Sequence, residues 1–204
     1  MVLYAATSNP GKLREFATSA SRQGIEVLPL PRLKEIPEPI EDAPTFMGNA
    51  ELKARAYSLT EPGALVFADD SGLEVLTLNN DPGVRSARYA DDAGFKGSGT
   101  KDQRNNALLL QNLGTNPNRT ARFVCTLALA RAGEILLRAE GTVQGEILSS
   151  PRGTDGFGYD PLFLIPALNL TFAELSPEQK WERSHRGRAF RTLLDQITTN
   201  RLIG

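Results

Sequence analysis

Apolar and polar positions along this chain change period several times, and each change marks an element. Val2–Ala6 is an unbroken apolar run, read as a short buried strand, and the polar turn Thr7-Ser8-Asn9-Pro10-Gly11 follows it. Beyond the turn, Leu13, Phe16 and Ala20 fall at helical spacing, which predicts a helix over Lys12–Gln23. Ile25–Leu30 reads as a second strand, and Pro31–Pro44, rich in proline and acid, as irregular. A second helix is expected over Thr45–Leu59, with Phe46, Ala50, Leu52, Ala54 and Tyr57 in it and Thr45 as its N-cap. Leu65–Ala68 and Leu73–Leu76 read as two strands, the first ending at Asp69-Asp70-Ser71-Gly72. Asp91–Thr100 is expected to be a mobile loop and Lys101–Leu113 a helix. Thr120–Ala130 and Ile135–Val143 read as a hairpin turning at Ala132-Gly133-Glu134. Ser150–Pro161 is glycine-rich, Leu162–Ile165 a short strand, Leu175–Gln179 a turn or helix, and Gly187–Thr199 the closing helix. Strands alternating with helices around a hairpin predict a mixed sheet in an α/β or α+β fold.

Composition narrows the functions open to such a fold. The 204 residues suit one domain, 1–204, with room for two lobes. Hydrophobic residues make up 40% and charged residues 23%, an ordinary globular balance. A net charge of −1 offers no broad basic field for nucleic acid, though a few local cations could hold a triphosphate. No apolar run approaches a membrane span, and the first residues lack the basic flank of a signal peptide. The single cysteine, Cys125, lies inside the apolar run Phe123–Ala130 and reads as a buried thiol in a reducing, cytoplasmic setting.

Four segments carry candidate chemistry. Asp69 and Asp70 end a buried run, and successive side chains of an extended segment point to opposite faces, so one acid is expected at a site and the other in the framework. Oxygen donors with no nearby histidine or cysteine suit a hard cation such as Mg2+. Glu41 and Asp42 close the acidic loop before Thr45, and one of them could join Asp70 on the metal. Thr7-Ser8-Asn9-Pro10-Gly11-Lys12 places small residues and a lysine at a helix start, where amides and dipole favour an anion. Lys12 there opposes the helix dipole, a cost unless an anion sits beside it. It is not a P-loop, because the required glycine spacing is absent. Gly153–Pro161 alternates glycines with Phe157 and Tyr159; it could stack a flat base and read its edge with amides and Asp160, or serve as a turn whose aromatics plug the core. Lys180–Arg188 is the strongest cationic cluster and holds the only histidine, His185; His185 and Arg186 can donate to a carbonyl oxygen of a base. One histidine excludes a multi-histidine zinc site, and no Gly-x-Ser-x-Gly elbow supports a serine hydrolase.

Taken together these segments resemble the inosine/xanthosine triphosphate pyrophosphatases, over nearly the whole chain and in order. Thr7–Lys12 is similar to the family's Thr-x-Asn-x-x-Lys turn; Asp69-Asp70-Ser71-Gly72-Leu73 and Pro82–Tyr89 to its central block; Gly156–Pro161 to its base loop; Lys180 with Ser184-His185-Arg186 to its last element. The resemblance implies a mixed α/β (α+β) fold, an elongated mixed β-sheet flanked by helices, with two lobes and a central cleft. It implies Mg-dependent hydrolysis of dITP, ITP or XTP to the monophosphate and pyrophosphate, by a cytoplasmic homodimer. By the same likeness, Asp70 is the catalytic carboxylate and shares the metal with Glu41. Thr7, Ser8, Asn9, Pro10, Gly11, Lys12 and Ser71 bind the phosphates. Phe157, Gly158, Tyr159, Asp160, Lys180, His185 and Arg186 form the base pocket. The alternatives are a pyrophosphatase for other modified nucleotides and a weakly catalytic nucleotide-binding regulator. Two departures stand out. The family's Phe-x-Glu-Asn-Ala reads Phe46-Met47-Gly48-Asn49-Ala50 here, losing an acid and costing the helix about 1 kcal/mol, and Ala93–Thr100 is longer than usual.

Overall fold

The computed structural model describes residues 1–21, 24–200 and 202. Its strands are β1 (Val2–Ala5), β2 (Glu26–Pro29), β3 (Val66–Val75), β4 (Thr120–Arg131), β5 (Glu134–Ile147), β6 (Phe163–Ile165) and β7 (Leu170–Thr171). Its α-helices are α1 (Pro10–Ser21), α2 (Phe46–Ser58), α3 (Tyr89–Asp92), α4 (Lys101–Leu113), α5 (Pro177–Arg183) and α6 (His185–Thr199). The sheet is mixed, in the order β2-β1-β3-β4-β5-β6-β7. β1 runs parallel to β2 and β3, whereas β6 runs antiparallel to β5 and β7. Parallel neighbours need a crossover, and α1 supplies it between β1 and β2.

Local chemistry explains the helix starts. Asn9 Oδ1 accepts from Gly11 N (2.8 Å) and Lys12 N (3.2 Å), and Pro10 opens α1 where its missing N–H costs nothing. The helix therefore begins two residues before the expected Lys12, and the expected end at Gln23 lies outside the described residues. Thr45 caps α2 as expected, accepting from Gly48 N. Capping boxes Thr100–Gln103 and Ser176–Gln179 start α4 and α5. The β4–β5 hairpin turns on Ala132 and Gly133, both at positive φ, as a two-residue turn requires.

One expectation fails. Asp69-Asp70-Ser71-Gly72 is not a strand end followed by a turn: β3 runs through it without a break. Aspartate and glycine are poor strand formers, but β3 lies between β1 and β4 in the sheet, and each acid finds a partner of its own.

The chain divides into two compact units, Met1–Asp70 with Cys125–Gly141 and the stretch from His185 onward, and Ser71–Val124 with Thr142–Ser184. In the first, Phe16 of α1, Phe67 of β3 and Phe190 of α6 pack as a trio with ring centroids 4.9–5.5 Å apart. Ala50, Ala54 and Tyr57 of α2 belong to a separate core cluster with Val66 and Ala68 of β3. Within this unit β3 is thus packed on both faces, Phe67 toward α1 and α6, Val66 and Ala68 toward α2. In the second unit the core gathers Leu73, Tyr89, Leu109, Tyr159 and Leu162 around the rings of Phe123, Phe163 and Phe172.

Candidate active site

The two faces of β3 sort the two acids. Asp69 follows Phe67 by two residues, so it shares the α1 face, and its carboxylate accepts from Lys12 Nζ at 2.7 Å. Asp69 is buried, its side chain 3% exposed. Burial alone would raise its pKa, but Lys12, Arg186 and Lys53 outweigh that and hold it below the ordinary carboxylate value. Asp69 is therefore the anion that offsets Lys12 at the first turn of α1. Breaking such a buried pair costs about 3–5 kcal/mol, so Lys12 has a framework role beside any role toward substrate. Arg186, also buried, enters the same region from α6 and pairs with Glu15 of α1 at 2.8 Å.

Asp70 points the other way, toward α2. Asn49 Nδ2 donates to Asp70 Oδ2 at 3.1 Å, and Lys53 Nζ lies 3.7 Å from Asp70 Oδ1. Asn49 and Lys53 are four residues apart, on one face of α2. Lys53 Nζ also donates to Glu41 Oε2 at 3.1 Å, so one ammonium is shared by the two carboxylates expected on the metal. Asn49 is fully buried and its other end is used as well: Oδ1 accepts from Ala43 N at 3.0 Å, which ties the segment carrying Glu41 to the helix. Burial raises the Asp70 carboxyl to about 6; Glu41 and Asp69 push it the same way, against Lys53 and Asn49. Lys53 keeps its charge despite burial, because Asp70, Asp69 and Glu41 surround it.

Gly48 is explained here. A Cβ at this position would stand 2.6 Å from Ala43 Cβ, so the chain segment that Asn49 holds occupies the space a side chain would need.

The donor set fits a hard divalent cation. Glu41 and Asp70 are both carboxylates, and they already converge on one positive charge. Among the described residues no group of three histidine, cysteine or acidic side chains forms a metal cluster. Two carboxylates are what Mg2+ commonly takes from protein, keeping waters and substrate phosphates as its other ligands.

The second unit holds the glycine-rich loop. Asp160 is buried, and its Oδ2 accepts from Phe157 N (2.9 Å) and from Lys180 Nζ (2.6 Å). Lys180 Nζ also lies 4.8 Å from the centre of the Phe157 ring, a cation–π contact. Gly156 is needed there: its φ is +81°, and a Cβ would strike the Asp160 carboxylate. Phe157 is half-buried. Tyr159 is not placed to stack on a ligand: it is 5% exposed, sits in the core, and donates its hydroxyl to Ser86 O at 2.9 Å. The sequence had left open a core-plugging role for this aromatic, and that is where the ring lies.

The structure thus brings Lys12, Glu41, Asp70 and Arg186 into the first unit, with His185 buried on the first turn of α6. It gathers Phe157, Gly158, Asp160 and Lys180 in the second. Of the remaining turn residues, Thr7 Oγ1 accepts from Asn9 N and Ser8 is exposed. Ser71 is half-buried on β3 directly after Asp70. Asn49 and Lys53 are the residues that the sequence reading left without a role, whereas Asp69 takes the framework place expected of the second acid. The signal for the first two was present: an amide and an amine one helical turn apart, following a capped helix start.

Cys125 lies fully buried on β4, and burial pushes its thiol up to about 12, so it takes no part in chemistry near neutral pH. Among the described residues no helix is long and apolar enough to cross a membrane.

A model of the Ham1 family matches residues 3–196. A dITP/XTP pyrophosphatase of Acidobacterium capsulatum is 52% identical over 97% of this chain and 98% of its own length. One of an Exiguobacterium species is 47% identical over 97% of each. Among solved structures, the Ham1 protein of Staphylococcus aureus superposes with a TM-score of 0.84 at 36% identity, covering 98% of this chain and all of its own. A HAM1 protein from Coxiella burnetii gives 0.83 at 35% identity, over 98% and 99%.

Proposed function

The chain belongs to the Ham1 family, and from that membership we propose its reaction and the division of labour among its residues. It is a nucleoside-triphosphate pyrophosphatase that hydrolyses non-standard purine nucleotides, dITP and XTP among them, to the monophosphate and pyrophosphate. The observation that carries the reading is the grouping of Asp70 with Glu41, Lys53 and Asn49: two carboxylates meeting at one cation, held by a buried amide.

Glu41 and Asp70 would hold a divalent cation, Mg2+ in our reading, which when bound neutralises charge developing on the phosphates. Asp70 orients the attacking water or takes its proton, and Asn49 fixes the carboxylate that does so. Lys53 places a second positive charge beside the same group. Lys12 and the turn Thr7–Gly11 bind the polyphosphate, as a helix start favours. Water attacks the α-phosphorus and pyrophosphate leaves. The base stacks on Phe157, and donors among Lys180, His185 and Arg186 read the 6-keto oxygen of hypoxanthine or xanthine. Adenine presents an amino group there, and a buried donor left unpaired rejects it. A homodimer and a cytoplasmic setting belong to the same reading and rest on the family resemblance.

Hydrolysis of dITP in 18O-labelled water tests the bond that breaks. The label is expected in dIMP, with unlabelled pyrophosphate; label in pyrophosphate, or release of orthophosphate, would overturn attack at the α-phosphorus.

A further inference from the structure

Helix α4 holds the glycine-rich loop through a single residue. Asp102 Oδ2 accepts from Gly158 N at 2.7 Å, and Asn106 Nδ2 donates to Gly158 O at 3.0 Å. The two side chains are four residues apart on one helix face, so together they take both backbone polar groups of Gly158. Gly158 has a φ of +62°, and a Cβ would meet nothing within 4 Å. Glycine is therefore present for its backbone conformation, not for want of space.

The helix is itself anchored next to this grip. Asn105, 2% exposed, accepts from Ala90 N and donates to Ser86 O, the same carbonyl that takes the Tyr159 hydroxyl. Loop and helix thus share a fixed point on the segment before α3. The polarity of Asn106 is informative too. Its Oδ1 is buried, with no hydrogen-bond partner among the described residues. Turning the amide over would set Oδ1 against the Gly158 carbonyl, so the donor end must face the loop. A buried acceptor left unmatched in this way needs a compensating role, and the grip on Gly158 is one.

We infer that Asp102 and Asn106 are specificity-positioning residues: by clamping Gly158 they fix the Phe157–Gly158 backbone and hence the surface that reads the base. The inference rests on the pyrophosphatase reading above. Rejection of an amino group by a keto-reading site depends on donors held within a few tenths of an ångström, and a loop that slackens loses that rejection before it loses phosphate binding.

Pyrophosphate release from dITP, XTP and dATP by the full-length protein and its D102A, D102N and N106D variants tests this, with far-UV circular dichroism to confirm folding. N106D keeps the shape of the side chain but turns a carboxylate toward the Gly158 carbonyl. Its kcat/KM ratio for dITP over dATP is expected to fall about tenfold, mainly through a higher KM for dITP. D102A should behave alike. D102N retains an oxygen that can accept the Gly158 N–H, so its ratio should stay within about twofold of the unmodified protein. A folded N106D with the full ratio would overturn the inference, as would a D102N that loses discrimination as completely as D102A. If N106D does not fold, the contrast between D102A and D102N decides. An unmodified protein that shows no preference for dITP or XTP over dATP would bring down the functional reading and this inference with it. A preference that survives in every variant brings down the inference alone.

Discussion

Around Asp70 the first unit arranges charge with side chains that leave a strand and a helix, whereas around Phe157 the second unit arranges a loop by seizing its backbone. The difference suits what each has to hold. A metal and a polyphosphate need fixed charges, and α1, α2 and β3 deliver Lys12, Lys53, Asn49 and Asp70 on rigid elements. A flat base needs a surface and a pattern of donors, and a glycine-rich loop supplies these only once its peptides are pinned. Asp160, Asp102 and Asn106 do the pinning, on Phe157 and Gly158. The first region is expected to fail through kcat when disturbed, the second through KM and selectivity.

Three substitutions sharpen that contrast. Asp70→Asn keeps the shape and the contact with Asn49 but removes the carboxylate; kcat for dITP is expected to fall about a thousandfold with the fold retained. Turnover near the original value would break the contrast at its strongest point. Lys53→Met removes the ammonium shared by Glu41 and Asp70 and should lower kcat about a hundredfold, with a weaker response to added Mg2+. Phe157→Ala removes the ring over which Lys180 lies; KM for dITP should rise about tenfold while kcat changes little, as loss of one stacking contact implies. A loss confined to kcat in Phe157→Ala would erase the distinction between the regions.

Much of this was legible in the sequence because local chemistry agreed with the final fold. The α4 boundaries, the Thr45 cap and the hairpin at Ala132-Gly133 are all set by residues within a few positions of one another. The course of β3 was not legible, because Asp69, Asp70 and Gly72 look like a stop signal to any local rule. The signal is overridden by partners far along the chain: Lys12 for Asp69, and Asn49 and Lys53 for Asp70. The alternation argument survived this, since it needs only an extended backbone, and the acids do face opposite sides. Lys12 shows the opposite limit. Its position at a helix start implied an anion nearby, but sequence alone could not say that a buried aspartate of the same protein would be that anion. The place of Tyr159 was open in the sequence for a related reason: two aromatics between glycines look equivalent, and only the packing around Leu162 and Phe172 makes one of them core. Gly48 looked like a lost acid and is also a packing requirement against Ala43.

The central claim is that this chain couples a metal-assisted carboxylate at Asp70 to recognition of a keto-purine. Pyrophosphate release from dITP, XTP, dGTP and dATP, measured with Mg2+ and again after its removal by chelation, tests both halves at once. The account predicts rapid release from dITP and XTP and little from dATP, abolished by chelation and restored by Mg2+. Equal release from all four nucleotides, or release that survives removal of the metal, would contradict it.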